Sequence, residues 1–341
     1  MFSYNAIDLF SGCGGLSEGM KKAGAQVIAC VEIDKVAAEC YKINHPETLV
    51  INEDIRKIKH NKLKRLLAGK PVHILAGCPP CQGFSTVRML NKTVAIDDER
   101  NDLILEYYRF IKEIKPLTFM MENVPALKNY DLFLTTVKKL EKMGYFIDYD
   151  VVDIQNYGVP QRRKRLIMLG SILGEIKIVR DSGLRKTVRD YIGNLESVDN
   201  TNDDIHKIVA IHSPRINKLI SLIPKDGGGR RDLPQKYILD CHKKTGIGFH
   251  DVYGRLKWDS VSSTITGGCL NPSKGRYLHP EENRCISARE AALLQTFPRD
   301  YKFPEGITKT EIALLIGNAL PPEFSRIQTA NIIEHLKKFN I

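Results

Sequence analysis

The sequence lacks the features of a membrane-bound or disulfide-rich secreted protein. It has no run of about eighteen apolar residues, and its first ten residues, MFSYNAIDLF, contain no basic segment ahead of an apolar stretch. Its eight cysteines are spread over 341 residues, which is typical of reduced thiols in the cytoplasm. We therefore expect a cytoplasmic protein that has no membrane partner.

The sequence also has little that could bind a metal ion. Cys78 and Cys81, in GCPPCQGFS, are the only cysteine pair at ligand-like spacing. A structural zinc site would need a second close pair, so we expect no metal. The two thiols could instead form a redox pair, or one could be a nucleophile beside a bystander.

Positive charge is concentrated in one part of the chain. Residues 205–280 carry 13 Lys and Arg against 5 Asp and Glu, a net charge of +8 out of the total of +11. This distribution predicts a segment that binds a polyanion, attached to a nearly neutral domain. A basic solvated face without a partner is the alternative.

Apolar strand-like runs alternate with helical patterns over the first 170 residues. This alternation predicts an α/β fold, with a mostly parallel sheet covered by helices on both faces. The following segments are short, polar and interrupted by glycine and proline, which indicates a smaller, loop-rich, partly β domain. The predicted organisation is a first domain over 1–174, a second over 175–284 and a return to the first over 285–341.

A glycine-rich turn follows the first predicted strand, in DLFSGCGGLSEG (8–19). Acidic residues end the first three predicted strands, at Asp8, Glu32 and Asp54. Glycine lets the backbone approach a ligand, and a carboxylate after the second strand suits ribose hydroxyls. Because the turn lacks GxGxxG, these acids favour a cationic nucleoside, S-adenosylmethionine, over NAD.

Three further motifs lie at or just past predicted strand ends: GCPPCQGFS (77–85), MENVPAL (121–127) and QNYGVPQRRKRLIMLG (155–170). They supply a thiol, a carboxylate and several arginines. Cytosine is an electrophile that needs all three, because its C6 accepts a thiolate only when N3 is protonated and the O2 charge is stabilised. C5 can then attack a sulfonium methyl group before its proton leaves and the cysteine is expelled.

Taken in order, the motifs resemble those of the DNA (cytosine-5) methyltransferase family, of the bacterial or phage restriction–modification type. The match runs through DLFSGCGG, VEID, NEDI, GCPPCQGFS, MENV, QRRKR, ISAREAALLQTFP and IGNALPP. The resemblance implies a Rossmann-like S-adenosylmethionine-dependent methyltransferase fold, with the basic segment as its target-recognition domain.

The resemblance also implies roles for individual residues. Cys81 corresponds to the nucleophile, and Glu122 to the acid that engages N3 and the amino group of cytosine. Arg163 and Arg165 correspond to the two arginines near the base. Cys78 stands where relatives have glycine or a bulky apolar residue, which makes it a bystander. The implied cofactor-binding residues are Phe10, Gly12, Gly14, Glu32 at the ribose, Asp54 and Ile55 at the adenine, Pro80, Leu103 and Asn318.

The basic segment is expected to bind double-stranded DNA while the target cytosine is flipped out of the helix. Most of its cations should contact phosphates, which position the protein without reading sequence. Arg255 is the candidate for a guanine contact, and Thr264 matches a Thr-Leu-type dipeptide of the family. The other candidate contacts are Arg230, Arg231, Lys243, Lys244 and Lys257.

The sequence therefore predicts a DNA cytosine-5 methyltransferase that works as a monomer. Only seven residues precede Asp8, and this compactness suggests the methylating half of a restriction–modification system. A cognate endonuclease would share its site without forming a stable complex. The alternatives are a tRNA cytosine methyltransferase, an inactive DNA-binding protein and a nucleotide-dependent redox enzyme; the first is disfavoured because no Cys-Phe-Thr tripeptide occurs.

Overall fold

The structure is a computed structural model that describes residues 4–59, 69–80, 103–238 and 251–341. The chain divides into two compact units. The first comprises residues 1–157, 164–183 and 320–341, and the second comprises 158–163 and 184–319. No helix in the described ranges is long and apolar enough to cross a membrane.

A seven-stranded sheet forms the centre of the first unit, in the order β3-β2-β1-β4-β5-β7-β6. Strands β1 to β5 run parallel, whereas β7 runs antiparallel to both of its neighbours. The predicted mostly parallel sheet is confirmed, and the reversal of β7 is a feature that the prediction lacked. The strands are β1 (Tyr4–Leu9), β2 (Ala25–Val31), β3 (Leu49–Ile51), β4 (Ile74–Gly77), β5 (Thr118–Asn123), β6 (Phe146–Asp153) and β7 (Lys164–Ser171).

The α-helices of the described residues fall into both units. In the first unit they are α1 (Gly15–Lys22), α2 (Lys35–Asn44), α3 (Leu103–Ile114) and α4 (Asp131–Lys142), and in the second α5 (Val188–Ile192), α6 (Asp204–Lys207), α7 (Pro214–Leu222), α8 (Ala288–Leu294) and α9 (Lys309–Asn318). The last helix, α10 (Pro322–Lys337), belongs to the first unit again.

The strand order changes direction between β1 and β4, and this reversal positions the site. Right-handed crossovers put α1 and α2 on one face of the sheet, and α3 and α4 on the other. The core of the sheet includes Ile7, Leu75, Phe119 and Leu166, all fully buried. In such folds ligands bind beyond the carboxyl ends of the strands, at the switch point.

The second unit has little regular structure. Among its described residues (158–163, 184–238 and 251–319), the β structure consists of isolated β-bridges without any extended strand. The expected β content is therefore confined to these single bridges. Residues 285–319 belong to this unit, beyond the predicted boundary at 284. They do so because Ser287 hydrogen-bonds to His206 at 2.7 Å and Arg289 pairs with Asp203 at 2.5 Å.

Helix α1 packs closely against α10 within the first unit. The Ser325 hydroxyl donates to the carbonyl of Leu16 at 2.7 Å, and Gly19 lies against the backbone of Pro322. A Cβ atom at Gly19 would overlap the Pro322 carbonyl and the Ser325 side chain, and would come within 2.7 Å of the Arg326 nitrogen. Glycine at this position is therefore required by the contact between the two helices.

We predict that Gly19→Ala destabilises the protein by at least about 2 kcal/mol, because overpacking forces one helix off the other. Urea unfolding followed by circular dichroism measures the loss. Lys22→Ala, an exposed change on the same helix, is the control and should cost less than about 0.5 kcal/mol. Equal stability of the Gly19→Ala protein and the wild type would show that the helices do not pack in this way.

Candidate active site

The glycine turn after β1 has an unusual backbone. Phe10, Gly12 and Gly14 have φ values of 61°, 54° and 96°, in the left-handed region. For a bulky residue such as Phe10 this conformation is strained, and such strain is concentrated at functional sites. The turn is fixed by the Ser11 nitrogen, which donates to the Val31 carbonyl at 3.1 Å, and it leads directly into α1.

Glu32 connects this turn to the end of β2. One carboxylate oxygen accepts from the Gly12 nitrogen at 2.7 Å, and the other accepts from the Asp34 nitrogen at 2.8 Å. The side chain is buried, and burial raises its pKa. Each oxygen keeps a further lone pair, so Glu32 can still accept from hydroxyl groups.

The end of β3 is tied to the same edge of the sheet. The Asn52 side chain donates to the Glu32 carbonyl at 2.8 Å. Asp54 caps a short 3-10 turn over Ile55–Lys57 and pairs with Arg56 at 2.7 Å, and the hydrogen bonds from Arg56 lower its pKa. Ile55 is buried in the core cluster. Asn52, two residues before Asp54, therefore attaches this segment to the backbone of the predicted ribose ligand.

Pro80 and Leu103 are both half-buried residues of the first unit. Leu103 begins α3 and packs against the core cluster, as Phe10 does. Asn318 is the last residue of α9 and belongs to the second unit.

Asp8, in β1, is a buried acid that the sequence prediction did not include among the cofactor ligands. One carboxylate oxygen accepts from the Ser17 hydroxyl at 2.6 Å, and that hydroxyl also bonds to the Tyr41 hydroxyl at 2.6 Å. The other oxygen, Oδ1, is buried and has no hydrogen-bond partner in the part of the chain that the structure describes. Burial raises the pKa of Asp8 to about 7.

Glu122 and Arg165 lie together because β7 is antiparallel. Glu122, near the end of β5, is opposite Ile167, so the first residues of β7 lie at the carboxyl edge of the parallel strands. The Arg165 Nε atom is 2.7 Å from a Glu122 carboxylate oxygen, and both side chains are largely buried. A guanidinium in this position keeps a carboxylate oriented and can stabilise negative charge on a bound base.

The segment before the predicted nucleophile is attached to the same strand end. The Asn123 side chain donates to the carbonyl of Pro79 at 2.8 Å. Cys81 itself lies outside the described residues. Cys78 is described, and burial, together with the nearby charge of Glu122, raises its pKa well above the usual range. Since only the thiolate is a strong nucleophile, Cys78 is poorly suited to attack.

Arg163 is placed differently from Arg165. It belongs to the second unit, where its buried guanidinium donates to the carbonyls of Ile265 at 2.9 Å and Gly317 at 3.1 Å. The Gln161 side chain accepts from the Ile265 nitrogen at 3.1 Å, and the Thr264 hydroxyl donates to the Arg162 carbonyl at 2.6 Å. The QRR segment therefore supports the backbone around Thr264.

The structure corrects the expected guanine contact of Arg255. This side chain is fully buried, and its guanidinium donates to acceptors of its own unit: the carbonyls of Ile220, Ile223, His279 and Glu282 and the Asn283 side chain. It is therefore not presented to a base edge. Its apolar neighbours in sequence, Leu256 and Trp258, are the signal that could have indicated burial.

The other candidate DNA contacts are divided between the interior and the surface. Arg230 is buried, whereas Arg231 and Lys257 are exposed and Thr264 is half-buried. Lys243 and Lys244 lie outside the described residues. Arg276, which the sequence prediction missed, donates to the carbonyls of Gly227 and Gly228, at 2.8 and 3.2 Å, and so shapes the glycine turn that precedes Arg231.

The chain is similar to known proteins along nearly its whole length. The family model of the C-5 cytosine-specific DNA methylases matches residues 4–334. The chain is 36% identical to the type II methylase M.HgiDII of Herpetosiphon aurantiacus, over 98% of this chain and 95% of the relative. It is 32% identical to the type II methyltransferase M1.HphI of Haemophilus parahaemolyticus, over 94% and 84%.

Solved structures give the same result for the fold. A DNA modification methyltransferase encoded within an Escherichia coli prophage superposes with a TM-score of 0.77, at 25% identity, covering 98% of this chain and all of that one. The methyltransferase EhMeth of Entamoeba histolytica superposes with a TM-score of 0.69 at 18% identity, covering 98% and 99%, a likeness in fold.

We predict that Asp8→Asn stabilises the protein at pH 8 but not at pH 4. The pKa of Asp8 in the folded protein, about 7, exceeds its ordinary value of 3.8. The free energy of unfolding of the wild type therefore falls as the pH rises from 4 to 7, and the whole loss of stability is present above pH 7. A shift of this size corresponds to at most about 4 kcal/mol. Thermal unfolding at both pH values measures the difference. Glu141→Gln, an exposed change on α4, should not show it, and an equal effect of Asp8→Asn at both pH values would contradict the shift.

Proposed function

The chain belongs to the C-5 cytosine-specific DNA methylases, and from this we propose that it transfers a methyl group from S-adenosylmethionine to C5 of a flipped cytosine in a short duplex DNA sequence. The observation that carries the proposal is the ion pair between Glu122 and Arg165 at the carboxyl edge of the sheet. Asn123 attaches the segment just before Cys81 to the same edge. The glycine turn and three acids lie at the ends of the neighbouring strands.

The residues at the glycine turn fit S-adenosylmethionine. Gly12 and Gly14 leave room for close approach, and Glu32 keeps acceptor capacity for the ribose hydroxyls. Asp54 and Ile55 are the residues that we propose for the adenine. The acids of this region also suit a ligand with net positive charge. When bound, S-adenosylmethionine supplies an electrophilic methyl group on a sulfonium.

The catalytic residues act on the cytosine. The Cys81 thiolate forms a bond to C6, while Glu122 shares a proton with N3 and so lets the ring accept the electron pair. Arg165 keeps Glu122 in place and stabilises the charge that develops on the base. C5 would then bond to the methyl carbon as the sulfonium–methyl bond breaks and leaves a neutral thioether. A base would take the C5 proton, and the electron pair of that C–H bond would expel the Cys81 thiolate from C6.

We propose that the second unit binds the DNA, as the concentration of positive charge in residues 205–280 suggests. The exposed side chains of Arg231 and Lys257 are suited to phosphates. Arg163 and Gln161 contribute indirectly, because they support the backbone on which Thr264 is presented. A target base must leave the helix because C6 is otherwise stacked inside it.

The type II methylases among the relatives suggest that the enzyme protects DNA from a nuclease of the same specificity. The direct test is transfer of labelled methyl groups from S-adenosylmethionine to unmethylated genomic DNA, followed by bisulfite sequencing. Protected cytosines within one short motif are the expected result. Label in tRNA but not in DNA would refute the proposed substrate, and cofactor binding without any acceptor would refute the activity.

We predict that Cys81→Ser lowers methyl transfer by several orders of magnitude and leaves S-adenosylmethionine binding unchanged, because the nucleophile does not contribute to cofactor affinity. Cys78→Ser is the matched control, and it should change the rate by less than roughly threefold, equivalent to under 1 kcal/mol. Radiolabel transfer and calorimetry measure the two properties. An inactive Cys78→Ser enzyme alongside an active Cys81→Ser enzyme would reverse the assignment.

We predict that Arg231→Ala and Lys257→Ala each weaken DNA binding at all sequences and reduce the salt dependence by about one phosphate contact.

Arg255→Met should instead destabilise the second unit by roughly 3 kcal/mol or more, since it leaves buried carbonyls without a donor. Fluorescence anisotropy at several salt concentrations and thermal unfolding separate the two effects. A stable Arg255→Met protein that loses only sequence preference would restore Arg255 as a base contact.

A further inference from the structure

His45 is a fully buried histidine that lies between the motifs VEID and NEDI and belongs to neither. It ends α2, where its nitrogen donates to the Tyr41 carbonyl at 2.9 Å. Its ring lies against the Tyr41 ring, with 4.6 Å between the two ring centroids. A polar ring that the fold buries completely needs hydrogen-bond partners for its nitrogens.

The partners of the His45 ring come from α1 and from the turn before it. The Lys21 Nζ atom, in the last turn of α1, is 3.2 Å from His45 Nδ1. Glu47 holds the same ammonium through a carboxylate oxygen 2.7 Å away. The ring also hydrogen-bonds to the backbone of Gly14, and this bond favours the protonated ring. The ring is therefore the donor and the Gly14 carbonyl the acceptor.

These contacts fix both the charge and the tautomer of His45. An ammonium group can only donate, so Nδ1 must be the unprotonated nitrogen of the ring. The proton of the neutral ring therefore stays on Nε2, which is the donor to Gly14. Burial, together with the charge of Lys21, lowers the pKa of His45 to about 4, so the ring is neutral near pH 7.

The Gly14 carbonyl does not need His45 to complete the helix. It already accepts from the Glu18 nitrogen at 2.8 Å, the bond that begins α1. Gly14 is the N-cap of α1 and has a φ value of 96°, a conformation in which glycine keeps much freedom. The second bond, from a buried ring, therefore restricts the orientation of the peptide group at the end of the glycine turn.

We propose that His45 is a positioning residue of the methyl-donor site, which acts by holding the Gly14 peptide group in the orientation that the ligand requires. This proposal rests on the proposed function. A turn that is fixed before binding loses less backbone freedom when the ligand arrives, so its affinity is higher. Lys21 and Glu47 act one step further away, because they fix the tautomer of His45.

Two substitutions separate the donor from the ring. His45→Phe keeps an aromatic ring against Tyr41 and removes the donor, whereas His45→Gln keeps an acceptor for Lys21 and a donor for Gly14. We expect His45→Phe to weaken S-adenosylhomocysteine binding by about fivefold to tenfold, the range for one lost hydrogen bond, and His45→Gln to change it by less than about twofold. Calorimetry with the full-length protein measures both affinities.

The kinetics supply a readout that a general loss of structure would not produce. In His45→Phe the KM for S-adenosylmethionine should rise by the same factor as the dissociation constant of S-adenosylhomocysteine. The kcat value and the affinity for DNA should stay within about twofold of the wild type, because the lost bond concerns ground-state binding of the cofactor alone.

Nitrogen-15 NMR of histidine-labelled protein tests the tautomer without any ligand. The signals of His45 are those that disappear in His45→Gln, and they should show a neutral ring protonated at Nε2. Lys21→Met, at a half-buried position, keeps the test available if His45→Phe does not fold. In that variant the second tautomer should appear, and S-adenosylhomocysteine affinity should fall at least about twofold.

Every other outcome counts against the proposal. Equal losses in His45→Phe and His45→Gln, or a parallel fall in kcat and DNA affinity, would mean that His45 only supports the fold. A charged ring or a proton on Nδ1 would overturn it, as would unchanged S-adenosylhomocysteine affinity in His45→Phe or Lys21→Met, and the proposed function would remain intact. A wild-type protein that does not bind S-adenosylhomocysteine would overturn the proposed function and this proposal with it.

Discussion

The ion pair between Glu122 and Arg165 depends on one reversal of chain direction. The parallel strands β1, β2, β4 and β5 all end at one edge of the sheet, and the antiparallel β7 begins there. A parallel seventh strand would have carried Arg165 to the opposite edge, some 20 Å away for a strand of eight residues. The Glu122 carboxylate, which we propose to be catalytic, would then be buried without a counter-charge, which is strongly unfavourable. The direction of β7 therefore determines whether the Glu122 carboxylate has a counter-charge.

The buried carboxylates at the glycine turn have a different electrostatic environment from that of Glu122. There the fold buries Asp8 and Glu32 near each other, and burial raises the pKa of both. Part of the cost is offset by hydrogen bonds from Ser17 and the Gly12 nitrogen, and among the described residues no arginine pairs with either acid as Arg165 does with Glu122. This asymmetry is physically consistent with the two proposed ligands. The proposed base site would meet developing negative charge and carries its own cation, while the proposed cofactor site would receive its positive charge from the ligand.

Much of this could be predicted from sequence because local patterns determine it. The strands and long helices of the first unit follow from apolar periodicity, and the motif order identifies the candidate site. The direction of β7 could not be read in this way, since the run RLIMLG is buried in either orientation. Nor could the unsatisfied oxygen of Asp8 be predicted, because it depends on which groups three separate elements bring to one carboxylate.

The arginines of the second unit show why net charge is a coarse guide to contacts. That unit has short helices and isolated bridges, so many of its carbonyls lack partners in regular secondary structure. Arg255, Arg276 and Arg163 donate to these carbonyls, which only a multi-donor cation can do at several points at once. Their charge still contributes to the field that attracts a polyanion, while their atoms are committed to the fold. In the DNA-binding role that we propose for this unit, sequence would therefore be read by the side chains and backbone that these arginines position, rather than by the arginines themselves.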